Sequence, residues 1–301
     1  MNLMMQANNK PMMNISSIAN EPMQGLQALD THGYLVLENA MDREILVKAQ
    51  QALDDIAATE RKNGNAILED GQSANGKYNH NGPYLNQRIV SLLFKHDVFI
   101  ALALHDEINL LLQRCFGSSY GVDQSMIDQY SLDELLLSSV TANIVNFGAK
   151  PMFLHKDQGA LPLTPYPVLY NVIYLLDDFC EGNGATRVVP KSHKTQDKIY
   201  SDTDGQAITA PAGSALILDG RLVHGTGANI TKQPRRAVLY TYCRPFLRTF
   251  ENYFASLDKE TFDRLPTKLQ AMLGFKVWML MGSVEGYRNG EMIKPKNWLQ
   301  V

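Results

Sequence analysis

Apolar positions in the first part of the chain follow two different spacings. Tyr34–Leu37 is a short apolar run after Gly33 and predicts a strand, whereas residues 41–58 carry apolar side chains at the spacing of an amphipathic helix. Residues 88–115 repeat the helical spacing and predict two further helices. Between these helices, Arg61–Pro83 is polar and rich in Gly and Asn, which predicts a lid or an active-site loop, with a surface insertion as the alternative.

From about Ser138 the pattern changes to short apolar and β-branched runs. They are separated by Gly, Asn and Pro turn residues and lie at Val140–Val145, Val168–Leu176, Ala185–Pro190, Ala215–Leu218 and Ala237–Cys243. Many short strands with such turns are typical of a sandwich or a barrel-like double sheet rather than a parallel α/β sheet. We therefore predict a mainly β protein, with a β core at about 138–248 and helical elements at 38–115 and 251–285.

Composition and charge limit the classes of function that the protein can have. The 301 residues are 45% apolar and 20% charged, which is an ordinary globular composition. The net charge of −3 and the pI near 6.2 provide no basic surface for nucleic acid or for an anionic membrane. We predict one domain over residues 26–301, after a Met- and Asn-rich leader, residues 1–25, that is expected to be disordered. The sequence leaves the oligomeric state open.

The cysteines and the apolar runs indicate the compartment. Cys115, Cys180 and Cys243 are an odd number at unrelated spacings, which argues against a disulfide framework and fits a reducing compartment. Cys180 and Cys243 are interpreted as buried small apolar residues, since no acid–base partner is evident for either. No apolar run reaches the length of a membrane span, and so we expect a cytoplasmic protein.

The most informative residues are two histidines, one aspartate and one arginine. His155 and Asp157 form an H-x-D motif, His224 follows 69 positions after His155, and Arg235 follows another 11 positions later. Two imidazoles and one carboxylate can occupy one face of an octahedral metal and leave three positions open, which is the ligand set of non-haem Fe(II) oxygenases. Residues i and i+2 at a strand end project to the same side and can reach one ion. The arginine could bind the far carboxylate of a 2-oxo acid through two hydrogen bonds.

The flanking sequence strengthens this motif. The tripeptide alone is weak evidence, because seven histidines would produce on the order of one H-x-D by chance. Over most of residues 26–285, and above all in Leu154–Gln158, Asn183–Lys194 and His224–Arg236, the chain resembles the phytanoyl-CoA dioxygenase family of Fe(II)/2-oxoglutarate oxygenases. The resemblance implies a double-stranded β-helix, a jelly-roll or cupin-like core, with helices packed on one sheet. It also implies Fe(II) as the cofactor, and 2-oxoglutarate and O₂ as co-substrates.

The resemblance further implies roles for individual residues. His155, Asp157 and His224 are similar to the iron ligands of the family. Arg235 is similar to the residue that pairs with the C5 carboxylate of 2-oxoglutarate. Three further polar residues are expected to contact the co-substrate or to face its pocket, namely Thr226, Asn143 and Asn171.

Alternation along the strands predicts which neighbours share a face. Asn171 and Ile173 should both face the pocket, the second at a position where the family often has a bulky aromatic residue. Arg236 should face away from the pocket, because it directly follows Arg235 in a strand. His193 matches a family position but is interpreted as a structural hydrogen-bonding residue rather than a fourth ligand.

The implied reaction is the oxidation, most simply the hydroxylation, of a C–H bond in a small organic metabolite, with release of succinate and CO₂. Halogenation is not expected, because halogenases of this superfamily lack the carboxylate that Asp157 provides. The same cofactors could instead drive desaturation, epoxidation or rearrangement, and secondary metabolism is a fitting context for all of these. An alternative of another class is a non-catalytic metal-binding jelly-roll that acts as a sensor or binding module. No cluster of Lys and Arg suits a CoA diphosphate, so we favour a substrate without CoA.

Overall fold

The computed structural model of the protein describes residues 11–69, 86–195, 197–286 and 289–294. The α-helices in these residues are α1 (Ile15–Asn20), α2 (Pro22–His32), α3 (Arg43–Lys62), α4 (Asp97–Ala103), α5 (Asp106–Ser118), α6 (Gln124–Tyr130), α7 (Tyr253–Ser256), α8 (Lys259–Arg264) and α9 (Thr267–Gln270). The strands are β1 (Met12–Asn14), β2 (Tyr34–Glu38), β3 (Ile67–Glu69), β4 (Asn86–Ile89), β5 (Leu136–Val145), β6 (Leu169–Leu175), β7 (Thr186–Val188), β8 (Gln206–Ala207), β9 (Ala215–Asp219), β10 (His224–Thr226) and β11 (Arg235–Cys243).

The described strands form a large sheet of eight and a small sheet of three. Their orders are β1-β2-β9-β6-β11-β5-β4-β3 and β10-β7-β8. All neighbours pair antiparallel except β1 and β2, which are parallel. A backbone bridge between His155 and His224 extends the small sheet beyond β10. The two sheets share a buried apolar cluster, and the predicted double-stranded β-helix with helices at both ends is confirmed.

The two faces of the large sheet are covered by different partners. The face that packs on the small sheet, called here the inner face, carries Ile173, Leu216 and Ala237. The opposite, outer face carries alternate residues of the same strands and packs on the helices. Every residue of β6 and of β9 is buried because both of its faces are covered, which explains why these strands are continuous apolar runs in the sequence.

Three tyrosines tie the outer face to α4. Their hydroxyl groups donate hydrogen bonds of 2.8–3.2 Å to carbonyl oxygens of this helix. The pairs are Tyr174 with Leu102, Tyr240 with Phe99, and Tyr242 with Ala103. The last carbonyl groups of a helix have no partner within the helix, so the bonds to Leu102 and Ala103 satisfy the helix end, and all three bonds satisfy the buried phenols.

The N-terminal prediction was wrong for residues 11–25. These residues form β1, α1 and the start of α2 instead of a disordered leader. β1 adds a strand beside β2, and the fully buried Ile18 of α1 joins the apolar core against α5. The apolar contacts and the strand pairing supply the free energy that orders this segment. Residues 1–10 lie outside the described residues.

The helical prediction for 38–115 was also wrong in part. α3, α4 and α5 are present, but Asn86–Ile89 is the strand β4, paired with β5. Four residues are too few for their spacing to separate strand from helix, and the partner strand decides. The large sheet therefore draws strands from well before residue 138, and α6 at 124–130 was not predicted.

The polar segment 61–83 is described only at its start. α3 continues to Lys62, and β3 follows at Ile67–Glu69. Residues 70–83 lie outside the described residues, so the lid remains a prediction. Across the described ranges, none of the helices combines the length and the apolar character needed to cross a membrane.

Candidate active site

Two histidines and one aspartate meet where the small sheet begins. Their ligand atoms all lie within 4.8 Å of one another, so this cluster could hold a metal ion. Asp157 Oδ1 lies 3.2 Å from His155 Nε2, and Asp157 Oδ2 lies 3.2 Å from His224 Nε2. The sequence separates the two histidines by 69 residues, and their paired backbones bring them together. The ligand set predicted from the sequence is therefore assembled in space.

Backbone contacts fix the positions of both imidazoles. His155 N donates to His224 O at 2.8 Å, and His224 N donates to His155 O at 2.9 Å. Gly225 permits this close approach, since a Cβ on it would lie 2.9 Å from the carbonyl oxygen of Phe153. The Nδ1 atoms lie 3.2 Å from Phe153 O and 3.0 Å from Leu222 O. A proton on each Nδ1 satisfies these carbonyls and leaves each Nε2 lone pair for a metal.

The electrostatics of the cluster favour an ionised carboxylate. Burial by itself would raise the pKa of Asp157, but the charge of His224 and the hydrogen bonds from both imidazoles outweigh it and hold that pKa well below its usual range. Burial by itself would lower the pKa of His224, but the charge of Asp157 outweighs it and raises that pKa. In the metal-free protein the Nε2 atoms therefore share protons with the carboxylate, and a bound cation would displace these protons and take all three side chains as ligands.

A cavity of about 390 Å³ opens beside the cluster, along the inner face of the large sheet. Every other site residue predicted from the sequence lines it, namely Arg235, Thr226, Asn143, Asn171 and Ile173. The alternation along β5, β6 and β11 brings Asn143, Asn171, Ile173 and Arg235 to one face, as expected from the period of a strand. Thr226 lines the cavity from β10 of the small sheet. The structure therefore collects the predicted residues around a single space.

Arg235 is a buried cation that forms no ion pair with a carboxylate of the described residues. It is 2% exposed, its Nη2 donates to Gly184 O, and its guanidinium carbon lies 4.7 Å from the centre of the Phe179 ring. Within the described parts of the chain, its Nε has no hydrogen-bond partner and no Asp or Glu pairs with it. Burial lowers its pKa to about 9. A buried charge needs a partner, and a carboxylate entering the cavity would supply one.

Arg236, the next residue, has the opposite surroundings. Its Nη2 lies 2.7 Å from Asp177 Oδ1, and its Nη1 lies 2.7 Å from Asp54 Oδ2. The predicted alternation of the two arginines is therefore confirmed.

Asn171 makes a contact that the sequence did not predict. Its side-chain nitrogen donates to Asp157 Oδ2, and its oxygen accepts from Thr241 Oγ1 at 2.7 Å. The alternation in β11 from Arg235 to Thr241 could have placed Thr241 on the cavity, but not opposite Asn171. Ser139, Phe250 and Glu251 also line the cavity and were missed.

Three predictions outside the cavity have different outcomes. His193 Nε2 lies 2.8 Å from the carbonyl oxygen of Asp30, which confirms a structural hydrogen bond. Cys180 is exposed, so the prediction that it is buried was wrong, whereas Cys243 is buried as predicted. Cys180 follows β6 in a turn that leaves the sheet, and the apolar run before it gave no sign of that exit.

Comparison with known proteins identifies the class and then the family. Among solved structures, the carbocyclase SnoK, described as non-heme and alpha ketoglutarate dependent, from nogalamycin biosynthesis, aligns with a TM-score of 0.57 at 17% identity over 77% of this chain and 87% of that chain. The epimerase SnoN, in complex with Fe3+, alpha ketoglutarate and nogalamycin RO, aligns with a TM-score of 0.56 at 16% identity over 92% and 97%. These similarities support the fold.

The family model described as Phytanoyl-CoA dioxygenase (PhyH) matches residues 29–237. The chain belongs to this family. A curated relative, Dioxygenase FUM3 of Gibberella moniliformis, is 34% identical over 182 residues, which are 57% of this chain and 57% of that protein. The chain thus spans little more than half the length of this relative in the alignment.

Proposed function

We propose that the protein is an Fe(II)- and 2-oxoglutarate-dependent oxygenase that oxidises, most simply hydroxylates, a C–H bond of a small organic metabolite. One observation carries the proposal: a cluster of two imidazoles and a carboxylate lines the same cavity as a buried arginine that pairs with no carboxylate of the described residues. The first suits a divalent metal with open positions, and the second suits the far end of a dicarboxylate. Family membership supports the same assignment.

His155, Asp157 and His224 would hold the iron. Two neutral imidazoles and one carboxylate leave the bound ion with a net positive charge and with positions open to other ligands. When bound, the iron supplies the activation of O₂ coupled to the conversion of 2-oxoglutarate to succinate and CO₂. The protein holds the ligands through Phe153 O and Leu222 O, which keep both Nε2 atoms directed at the ion.

Arg235 would bind the C5 carboxylate of 2-oxoglutarate. Its partly satisfied guanidinium lines the cavity, is 2% exposed and packs on Phe179 and Gly184, so a charge pair formed there is stronger than at the surface. Thr226 and Asn143 line the same cavity and would add neutral hydrogen bonds. The amide of Asn171 is already engaged by Asp157, and its role is treated separately below.

The rest of the cavity favours a small substrate. Ser139 and Glu251 offer polar contacts, and the exposed Phe250 offers an apolar one near the opening. Among the described lining residues the cations are Arg88 and Arg235, which is too few for a CoA diphosphate once 2-oxoglutarate takes Arg235.

The solved relatives are named for nogalamycin biosynthesis, which supports a substrate from secondary metabolism. Their names, carbocyclase and epimerase, keep rearrangement open as an alternative outcome of the same cofactor chemistry.

The test is metal content together with succinate release. The purified protein, loaded anaerobically with Fe(II), should bind one ion per chain and, with ascorbate and O₂, release succinate from 2-oxoglutarate even without the organic substrate. Asp157→Ala should lose both properties and keep the far-UV circular dichroism of the wild type. Asp128→Ala, on the exposed surface of α6, is the matched control and should keep both. A wild-type protein that binds iron but never forms succinate would instead favour the sensor or binding module.

A further inference from the structure

The carboxylate of Asp157 is held by two successive hydrogen bonds between side chains, which link it to two neighbouring strands. Thr241 Oγ1 donates to Asn171 Oδ1 at 2.7 Å, and Asn171 Nδ2 donates to Asp157 Oδ2. All three residues line the cavity of the candidate active site. Thr241 belongs to β11 and Asn171 to β6, and the two lie directly opposite each other in the sheet.

The chemistry of the three side chains fixes the donor and the acceptor of each hydrogen bond. An ionised carboxylate only accepts hydrogen bonds, so the NH₂ end of the Asn171 amide must face Asp157. The amide oxygen then faces Thr241, whose hydroxyl donates to it. Asn171 is 4% exposed and Thr241 is 8% exposed, so water competes little for either bond. The amide is consequently fixed at both ends.

Asp157 needs such support because the sheet does not hold it. The backbone bridge of the small sheet pairs His155 with His224, whereas Asp157 is the first residue of a short 3-10 helix, Asp157–Ala160. Each histidine of the cluster is steadied by a backbone carbonyl, and Asn171 occupies the corresponding position behind the carboxylate. The amide engages Oδ2, so the carboxylate cannot rotate without breaking this bond.

We propose that Asn171 is a positioning residue that orients the Asp157 carboxylate for the metal, and that Thr241 in turn orients Asn171. The inference rests on the proposed function, because it takes the cluster of His155, Asp157 and His224 as the iron site. It gives Asn171 a role toward the metal in place of the co-substrate contact that the family resemblance implies. Residues that hydrogen-bond to metal ligands typically change metal affinity by about 10–100-fold when they are removed.

The test measures metal binding without turnover. Co(II) is titrated into the metal-free full-length protein, and its affinity and visible absorption spectrum are recorded, followed by the affinity of the Co(II)-loaded protein for 2-oxoglutarate. Asn171→Leu keeps the approximate side-chain volume but removes both polar ends. It should bind Co(II) about 10–100-fold more weakly, with an altered spectrum. Unchanged Co(II) affinity combined with weaker 2-oxoglutarate binding would overturn the proposal and support the co-substrate contact.

Two threonines provide a matched pair of variants. Thr241→Val removes the hydroxyl that fixes Asn171 and should weaken Co(II) binding by a smaller factor than Asn171→Leu, while Thr241→Ser should restore it. Thr141 lines the same cavity but lies opposite Leu239, so Thr141→Val should keep the wild-type Co(II) affinity. Equal affinities in Thr241→Val and the wild type would overturn the proposal, and this variant decides the matter if Asn171→Leu does not fold.

Thermal unfolding of the metal-free variants separates positioning from stability. A merely structural Asn171 would lower the melting temperature and leave the Co(II) affinity of the folded protein unchanged, which counts against the proposal. A wild-type protein that binds no Co(II) at all would overturn the proposed function, and this inference with it. Normal wild-type binding with unaffected variants would overturn the inference alone.

Discussion

The two faces of the large sheet are formed by the same strands but differ in how their buried polar groups are satisfied. On the outer face, Tyr174, Tyr240 and Tyr242 bury their rings against the helices, and each hydroxyl has a carbonyl partner. On the inner face, Arg235 is equally buried, yet no carboxylate in the described residues pairs with it. Polar groups that are satisfied by the fold stabilise it, whereas a buried charge without a counter-ion indicates a place for a ligand.

The adjacent arginines of β11 show this difference within two residues. Arg236 faces the helices and pairs with Asp177 and Asp54, so its charge is balanced within the chain. Arg235 faces the cavity, where its guanidinium meets the carbonyl oxygen of Gly184 and the ring of Phe179. The two positions have the same residue type and nearly the same sequence context. Their functions differ because a strand sends successive side chains to opposite faces.

The largest expected effect on stability belongs to the outer face. Tyr240→Ala should lower the free energy of unfolding by about 3–5 kcal/mol, because it removes a fully buried ring and its bond to α4. Leu239→Ala, at the neighbouring position of β11 that lines the cavity, should cost distinctly less, since that side chain is only partly buried. Urea unfolding of the two variants measures the comparison. Equal losses would mean that the inner face is packed as tightly as the outer one.

The next effect concerns the affinity for 2-oxoglutarate. Arg235→Ala should weaken it by about 2–5 kcal/mol, the range for truncating one member of a buried charge pair. Arg236→Ala should leave it unchanged and should lower the stability of the protein instead, because Asp177 loses its partner. Calorimetric titration of metal-loaded variants measures the affinity. A larger defect in Arg236→Ala would invert the assignment of the two faces.

A further prediction concerns the stability of the two arginine variants in the absence of ligands. Removal of Arg236 breaks ion pairs, whereas removal of Arg235 removes a buried charge that forms no ion pair within the described parts of the chain. The ligand-free Arg235→Ala protein should therefore lose less stability than Arg236→Ala, although Arg235 is the more buried residue. Chemical unfolding without metal or 2-oxoglutarate measures this order, and the reverse order would show that Arg235 is primarily structural.

The smallest effect is a pH dependence at Glu251, an acid at the edge of the cavity. Burial raises its pKa above the usual 4.5, against the hydrogen bond from the Val140 amide, which lowers it. The folded protein then holds this proton to higher pH than the unfolded chain does. The contribution of Glu251 to stability is thus full below pH 4.5 and is lost as the pH rises through the raised pKa.

Glu251→Gln should remove this dependence, because glutamine keeps an oxygen that can accept from Val140 and does not ionise. The difference in unfolding free energy between the variant and the wild type should shift in favour of the variant as the pH rises from 4.5 toward neutrality. A difference that stays constant over this range would contradict the direction given for the Glu251 pKa.

The sequence by itself predicted the central strands and the residues that line the candidate site. The runs 168–176 and 215–218 predicted β6 and β9, because strands covered on both faces must be apolar throughout. The spacing of two in β11 separated Arg235, on the cavity, from Arg236, on the helix side, since that period is a local property of the chain. The family resemblance then brought His224 and Arg235 into the same site.

The contacts that depend on the register between distant strands were decided by the tertiary structure alone. Asn171 and Thr241 lie 70 residues apart, and only the pairing of β6 with β11 sets one opposite the other. For the same reason β1 and β4, which are too short to be specified by their own spacing, became strands by pairing with β2 and β5. A short segment takes its conformation from the partner that satisfies its backbone hydrogen bonds, and the local sequence does not contain that partner.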